Sequence, residues 1–438
     1  ARRVASNPLV SVIVPYYMGA EHLPALLQSI AEQELPLDRM ECLLVQNGPD
    51  DGLREVIEGR FPWVTVLEPG DNLGYGGGCN FGARAARGEW VAFLNTDMRV
   101  HRRWLAELLA ASERHPQAAC FGSVILSWNG KRIDFGRSAM NFAGAGFQPY
   151  HGAPASWLPA TDQQELFACG GATFVRRDVF LEVGGFDEDF WAYYEDVDLG
   201  WRLWVLGHEV WLAPSSVVYH RHHGSFSKVG RERTRLLYER NAILSVIKNY
   251  EDGNLDRVLP VVLMLAAKRA FLASGVDAGA FRIGRVPPHA LAPKGGPFGM
   301  RYYVDEAIRT LQNDGLLELG KKAVAELGRR FTFGGQAPYG APRRETTATE
   351  DGYAIPRMAV AHLLALSDVA DLYPTMLERR RWIQSHRRRP DEEIFPLFRM
   401  SFGLNFYDSR YHTCLVDLIE ATHLEERLGD WMQARDTT

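Results

Sequence analysis

Cysteine is scarce in this chain. Five residues, Cys42, Cys79, Cys120, Cys169 and Cys414, are scattered through 438, and no two form a C-x-x-C pair. That spacing argues against a disulfide framework and a zinc ribbon, and it fits a reducing, cytoplasmic setting. Net charge is slight, at −5, which gives no reason to expect nucleic acid or a strongly anionic membrane as partner. Long apolar runs are missing too. The longest, Val258 to Ser274, is broken by Lys268 and Arg269, too short and too charged for a transmembrane helix. Ala1-Arg2-Arg3 leads almost directly into an apolar segment, so no signal peptide is expected. Without an initiator methionine, the chain reads as trimmed or as a piece of a longer one. No internal repeat stands out. What is present is an ordinary globular composition, 46% hydrophobic and 24% charged, with length for two or three domains.

The first hundred residues alternate strand and helix patterns. Leu9 to Pro15, Cys42 to Val45, Val64 to Leu67 and Val91 to Leu94 read as buried parallel strands. Between them lie helical stretches at Glu21 to Glu32, Leu53 to Arg60 and, after the glycine-rich run Gly76 to Asn80, a small-residue helix to about Arg87. The alternation predicts a doubly wound α/β sheet. A helix over His101 to His115 and a strand over Ala119 to Leu126 follow. Ser127 to Gln164 reads as a long irregular stretch. Order returns with a Gly-interrupted strand at Phe167 to Arg176, helices near Arg177 to Val183 and Val197 to Leu206, and strands at Glu209 to Ala213 and Val217 to His220. After about Arg231 the pattern is helical: Leu236 to Asn249, Leu255 to Ser274, Met300 to Arg330, Met358 to His386 and Leu415 to Asp430. Gly/Pro-rich gaps fall at 284–299 and 333–343. The expected domains are 1–230 and a helical 231–438.

Several polar groups fall at strand ends, where open α/β sheets bind ligands. Asp97 closes Phe93-Leu94-Asn95-Thr96-Asp97. It is a hard oxygen donor suited to a divalent cation on a diphosphate, or else part of a cap for the helix that follows. Asp50 and Asp51 precede a helix and read equally as caps or nucleotide contacts. Glu195, Asp196 and Asp198 open a helix, where one carboxylate complements the dipole and three are more than it needs. Trp191, Tyr193, Tyr194 and Trp201 surround Asp196, a setting that raises a carboxyl pKa and suits a general base. His220-Arg221-His222-His223 follows a strand and suggests a metal or phosphate role. Asn72 to Asn80 resembles a phosphate loop, but its glycines fit neither G-x-G-x-x-G nor G-x-x-x-x-G-K-[ST], which disfavours a Rossmann dehydrogenase or P-loop NTPase.

Taken together these stretches resemble the inverting family 2 glycosyltransferases of the GT-A fold, especially their rhamnosyl- and galactofuranosyltransferase-like branch. The resemblance rests on Val10 to Tyr17, Val45 to Gly52, Asn72 to Gly76, Phe93 to Asp97, Cys169 to Ala172, Gly184 to Asp187, Tyr193 to Leu199 and Val218 to His220. It implies a GT-A doubly wound mixed sheet with a Rossmann-like nucleotide-binding half, followed by a mostly α-helical C-terminal region. It further implies that Pro15, Tyr16, Asn47 and Asp50 line the nucleotide pocket. Asn72, Gly74, Tyr75 and Gly76 would flank the nucleoside and sugar, with Asn95 and Thr96 in the family's D-x-D position. Asp97 and His220 would hold Mn2+ or Mg2+. Gly171 and Trp191 would line donor sugar and acceptor, and Glu195 and Asp196 would form the catalytic pair, with Asp196 as base. Gln46 stands where the family usually has Asp, Pro49 replaces Ser, and Asn95 replaces the first Asp of D-x-D. The implied donor is a UDP- or TDP-sugar and the implied acceptor a glycan or lipid-linked glycan of a bacterial surface polysaccharide. The setting would be cytoplasmic, at the inner face of the membrane. The C-terminal half would serve oligomerisation, acceptor binding or peripheral membrane contact. A sugar nucleotidyltransferase and a non-catalytic sugar-nucleotide-binding or scaffolding module remain the alternatives.

Overall fold

The structure, a computed structural model, describes residues 8–49, 51–221, 230–276 and 355–428. Strands β1 (Val10–Tyr16), β2 (Met40–Gln46), β3 (Val64–Leu67) and β4 (Trp90–Phe93) alternate with helices α1 (Leu23–Ala31), α2 (Leu53–Arg60) and α3 (Gly74–Ala85). The strands lie in the order β3-β2-β1-β4, all parallel. Val12, Ile13 and Val14 of β1 are fully buried. Consecutive strand residues face opposite sides, so both faces of this half are covered, as its unbroken apolar runs require. The chain leaves β1 toward β2 and β3 and later returns to its other side as β4. The switch point therefore lies between β1 and β4.

The chain continues through β5 (Met98–Val100), α4 (Trp104–Arg114), β6 (Ala118–Ser127), β7 (Ile133–Phe135), β8 (Ala139–Met140), β9 (Gly146–Phe147), β10 (Gln163–Gln164), β11 (Thr173–Arg176), α5 (Arg177–Glu182), α6 (Glu195–Val205) and β12 (Glu209–His220), with β8 and β9 pairing apart as a two-stranded sheet. Strand order beyond β4 is β11-β6-β12-β10. β11 runs antiparallel to both its neighbours and β12 parallel to β6, while β5 pairs antiparallel with β12. The sheet is thus mixed, as expected. Two local expectations differ. The strands expected at 209–213 and 217–220 are one strand with a register shift between Ala213 and Val217. Pro214 sits in that shift, where a residue without an N–H is tolerated. The stretch 127–164, expected to be irregular, contributes four short strands.

Helices α7 (Arg231–Asn249), α8 (Asp252–Ser274) and α9 (Arg357–Ser385) follow, then shorter ones at Asp391–Ile394, Ser409–Thr422 and Glu425–Leu428. Among the described residues no strand follows His220, and no helix is long and apolar enough to cross a membrane. The expected helix at 300–330 and the two Gly/Pro-rich gaps lie outside the described residues.

The chain divides into two compact units. The first is Ala1–Gly230 with Asn241–Leu255 and Leu372–Ser401; the second is Arg231–Arg240, Asp256–Asp371 and Phe402–Thr438. The expected break after 230 ends the first segment, but the first unit takes back two helical segments. Buried aromatic rings account for this. Tyr250 stands edge-on to Trp201 at 4.8 Å, Phe398 to Trp201 at 5.4 Å, and the Tyr250 hydroxyl donates to Phe142 O at 2.9 Å. The second unit has its own buried polar centre. Arg269 donates to Glu239 at 2.6 and 2.9 Å and to the Tyr411 hydroxyl at 2.6 Å.

Candidate active site

The loop after β4 does not cap a helix. It feeds directly into β5, and α4 begins only at Trp104. Leu94 N–H donates to Ile13 O at 3.0 Å, which places Asn95, Thr96 and Asp97 just beyond the β1–β4 switch point. Asp97 is 6% exposed. Antiparallel pairing of β5 with β12 sets His220 opposite Met98. His220 Nε2 then lies 3.1 Å from Asp97 Oδ2, while its Nδ1 lies 2.5 Å from Asp134 Oδ2. His151 Nδ1 stands 3.3 Å from the other oxygen of Asp134. Burial pushes the Asp97 carboxyl up, but the hydrogen bond and charge of His220 outweigh it and hold it below the usual carboxylate range. For His220, burial works downward and the two carboxylates upward, and the net is a pKa raised to about 9. Asp134 and His151 escaped the sequence analysis. They lie in the stretch read as irregular, and no local spacing ties them to His220. His222 and His223 lie outside the described residues.

A second pair of carboxylates has the opposite surroundings. Asp196 accepts from Gly170 N–H at 2.8 Å and Val197 N–H at 2.9 Å. Glu195 is buried, and its Oε2 has no hydrogen-bond partner. Burial raises the Asp196 carboxyl, with the backbone N–H groups only partly offsetting it. Burial, then the neighbouring charge of Asp196, raises Glu195 well above the usual range. The third acid of the turn has a structural role. Asp198 is fully buried and accepts from Lys248 at 2.8 Å, Asn249 at 2.9 Å and Arg202 at 3.2 Å. The chain enters this helix through Trp191, Tyr193 and Tyr194, with φ of 63°, 66° and 62°. Left-handed conformations at non-glycine residues cost on the order of 1–3 kcal/mol each and persist only where the surroundings enforce them.

Two glycines join these corners. Asn95 N–H donates to Gly171 O at 3.3 Å, and a Cβ on Gly171 would meet Asn95 Nδ2 at 2.7 Å. Its neighbour Gly170 holds Asp196 and accepts from the Tyr75 hydroxyl at 2.8 Å. Tyr75 N–H in turn donates to Trp191 O at 2.7 Å. Gly74 has φ 70°, and a Cβ there would lie 2.6 Å from Trp191. Trp191 itself is 38% exposed.

On the nucleotide side, Pro15 and Tyr16 end β1 beside Val45 and Gln46. Tyr16 is fully buried, and its hydroxyl donates to the Asp51 carboxylate. Asp51 therefore sits at this edge; the expected Asp50 lies outside the described residues. Asn47 Nδ2 donates to Gly74 O at 2.7 Å, and Asn72 Oδ1 accepts from Gly74 N–H at 2.9 Å. Gly76 is buried against Phe186, where a Cβ would stand at 3.2 Å, and a Cβ on Gly78 would meet Asn47 at 2.3 Å. These glycines admit protein atoms at close range.

The family model described as "Glycosyl transferase family 2" matches residues 11–184. The chain is 30% identical over 241 residues to N-acetylglucosaminyl-diphospho-decaprenol L-rhamnosyltransferase of Mycobacterium tuberculosis, across 50% of this chain and 78% of that protein. It is 32% identical over 238 residues to the O-antigen biosynthesis protein RfbC of Myxococcus xanthus, across 50% of this chain and 18% of that one. A solved structure of GalNAc-T7 with UDP, GalNAc and Mn2+ overlays with a TM-score of 0.47 at 16% identity, over 63% of this chain and 53% of that one. With most of a relative's length matched at this identity, the chain belongs to glycosyl transferase family 2 and is a glycosyltransferase.

Proposed function

We propose that the enzyme transfers a sugar, with inversion, from a TDP- or UDP-sugar to a hydroxyl of a lipid-linked glycan. The observation that carries this reading is the pair of opposed carboxylate environments, Asp97 held charged and Asp196 desolvated, tied together through Gly170 and Gly171. Asp196 Oδ2 takes the acceptor's hydroxyl proton. The freed oxygen bonds to the anomeric carbon from the face opposite the diphosphate. The bond from that carbon to the diphosphate oxygen breaks, and the nucleoside diphosphate leaves with the electron pair. A general base with a raised pKa is well matched to this proton transfer near neutral pH.

The donor set suits a divalent cation bridged to a diphosphate. Asp97 offers oxygen and His220 Nε2 a nitrogen, and Asp134 on Nδ1 leaves the Nε2 lone pair facing Asp97 in the neutral ring. Among the described residues no group of three or more His, Cys, Asp or Glu is poised to cage an ion. Two protein ligands, with phosphate oxygens and water for the rest, is how Mg2+ is commonly held at a nucleotide. Bound there, Mn2+ or Mg2+ would neutralise charge on the leaving diphosphate. The named rhamnosyltransferase relative supports TDP-rhamnose as first donor and an N-acetylglucosaminyl diphosphoryl polyprenol as first acceptor. The arrangement at the β1 edge supports nucleotide recognition by Pro15, Tyr16, Asn47 and Asp51. The C-terminal helices and any membrane-surface contact would serve the acceptor.

The test is a donor panel of TDP-, UDP- and GDP-sugars with that acceptor and Mn2+, following release of nucleoside diphosphate. Release from one TDP- or UDP-sugar, abolished in Asp196→Asn and with nucleotide binding kept, supports the reading. Undiminished turnover in Asp196→Asn refutes Asp196 as base.

A further inference from the structure

Asn241 lies on α7, far in sequence from every residue of the active site, and is fully buried. Its Nδ2, with two hydrogens shared among them, donates to three backbone carbonyls of one loop: Phe190 at 3.0 Å, Ala192 at 2.9 Å and Tyr193 at 2.7 Å. That loop contains the three left-handed residues Trp191, Tyr193 and Tyr194 and runs directly into Glu195 and Asp196. Of the two other carbonyls of the stretch, that of Trp191 accepts from Tyr75 N–H and that of Tyr194 from Asp198 N–H. One side-chain amide thus gathers the carbonyls that the left-handed turns bring to one side.

The same face of α7 grips the loop at both ends. Residues seven apart share a helix face, and Lys248 is seven beyond Asn241. Its ammonium donates to Asp187 at 2.5 Å, before the loop, and to Asp198 at 2.8 Å, after it. Asn249 holds the other oxygen of Asp198 at 2.9 Å. Ion pairs fix the ends of the segment. In its interior, where the backbone is strained, Asn241 is the α7 side chain that meets the backbone carbonyls.

We propose that Asn241 is a positioning residue for glycosyl transfer. It holds the 190–194 loop in the strained conformation that presents Trp191 to the crevice and aims Asp196 at the acceptor. The proposal rests on the assignment of Asp196 as general base. A neutral amide is required for this role. An Asp at 241 would face three carbonyl oxygens with a carboxylate that has nothing to donate. A leucine would remove all three of these hydrogen bonds, leaving the Phe190 carbonyl its hydrogen bond from Ala192 N–H at 2.7 Å.

The test compares Asn241→Ala, Asn241→Asp and, as a control for lost packing on the same helix, Ile247→Ala. All are measured as full-length enzyme below their unfolding transitions. Transfer from TDP-rhamnose, or whichever donor the panel selects, gives kcat and KM; calorimetry with UDP and TDP in Mn2+ gives nucleotide affinity. Hydrogen exchange of the peptide spanning 190–196 gives a readout that needs no substrate. Asn241→Ala is expected to lose about 100-fold in kcat, the cost of a misplacement near 1 Å, with nucleotide affinity unchanged and exchange at 190–196 accelerated. Asn241→Asp is expected to recover relative to wild type as pH falls, because only its protonated form has a hydrogen to donate. Ile247→Ala is expected to keep kcat and slow exchange at 190–196. Equal kcat loss in Ile247→Ala, or wild-type exchange in Asn241→Ala, overturns the proposal. Absence of turnover in the wild type with every donor would instead count against the transferase reading, and the exchange data would still decide whether Asn241 holds the loop.

Discussion

The two acidic corners of the site are built from the same chemistry and behave in opposite ways. At the β4 corner, Asp97 is buried beside His220, which is itself backed by Asp134, and its carboxyl is held below the usual range. At the start of α6, Glu195 is buried beside a half-buried Asp196, whose hydrogen bonds come from backbone N–H groups, and both carboxyls are raised. Burial acts in the same direction at both places. The sign of the net shift is decided by whether a cationic neighbour is within reach. A site needs both outcomes: a carboxylate that stays charged to attract a cation, and one that takes a proton readily near neutral pH.

The sharpest break in this comparison is Asp196→Asn. It keeps the shape of the α6 corner and removes the proposed base, so kcat is expected to fall about 1,000-fold. Calorimetry should find nucleotide binding unchanged. At the other corner the effect reverses: Asp97→Ala is expected to weaken UDP or TDP binding in Mn2+ by about 100-fold, and to leave metal-free binding alone. Asp134→Asn comes next. Asp134 meets His220 and His151, so its replacement loosens the ring that faces Asp97. Mn2+ affinity is expected to fall roughly 10-fold, read by titration of the metal against nucleotide-loaded enzyme.

The same corner makes a pH prediction with a definite sign. The folded pKa of His220, about 9, lies above its ordinary value of 6.5. Its ion pairs in metal-free enzyme therefore add stability that is complete below about pH 6.5 and is lost as pH rises through about 9. A cation must displace the ring proton, so metal affinity should rise over that same interval. Thermal unfolding with and without Mn2+ at stepped pH measures both trends, which should run in opposite directions.

How much of this the sequence discloses depends on how local the cause is. β1 to β4 are legible because an unbroken run such as Val12-Ile13-Val14 reports covering on both faces. Asp97 and Asp196 are legible because they sit at element ends. Asp134 is not, because it meets His220 across 86 residues and only strand register brings them together. The same holds for Asn241, whose partners lie about 50 residues away. The glycines of α3 teach a narrower lesson. Gly76 and Gly78 do signal close approach, but what approaches is Phe186 and Asn47, and the sequence carries no sign of which neighbour that will be.

The smallest expected effect tests the inner logic of the α6 corner. Glu195 and Asp196 titrate as a pair, and the Asp196 charge raises Glu195. With Asp196 as the proposed base, it is the first of the two to give up its proton, and its charge then keeps the Glu195 carboxyl raised. Glu195 is then a neutral neighbour over the range where Asp196 works as base. Replacing it by a neutral amide of the same size should change little. Glu195→Gln is expected to alter kcat by about 3-fold at most and to leave the acid limb of the kcat/KM profile where wild type has it. A shift of that limb to lower pH would mean that Glu195 is charged in the working enzyme and holds the Asp196 pKa up. A loss as deep as that of Asp196→Asn would transfer the role of base to Glu195, and with it the role of the Gly170 hydrogen bond.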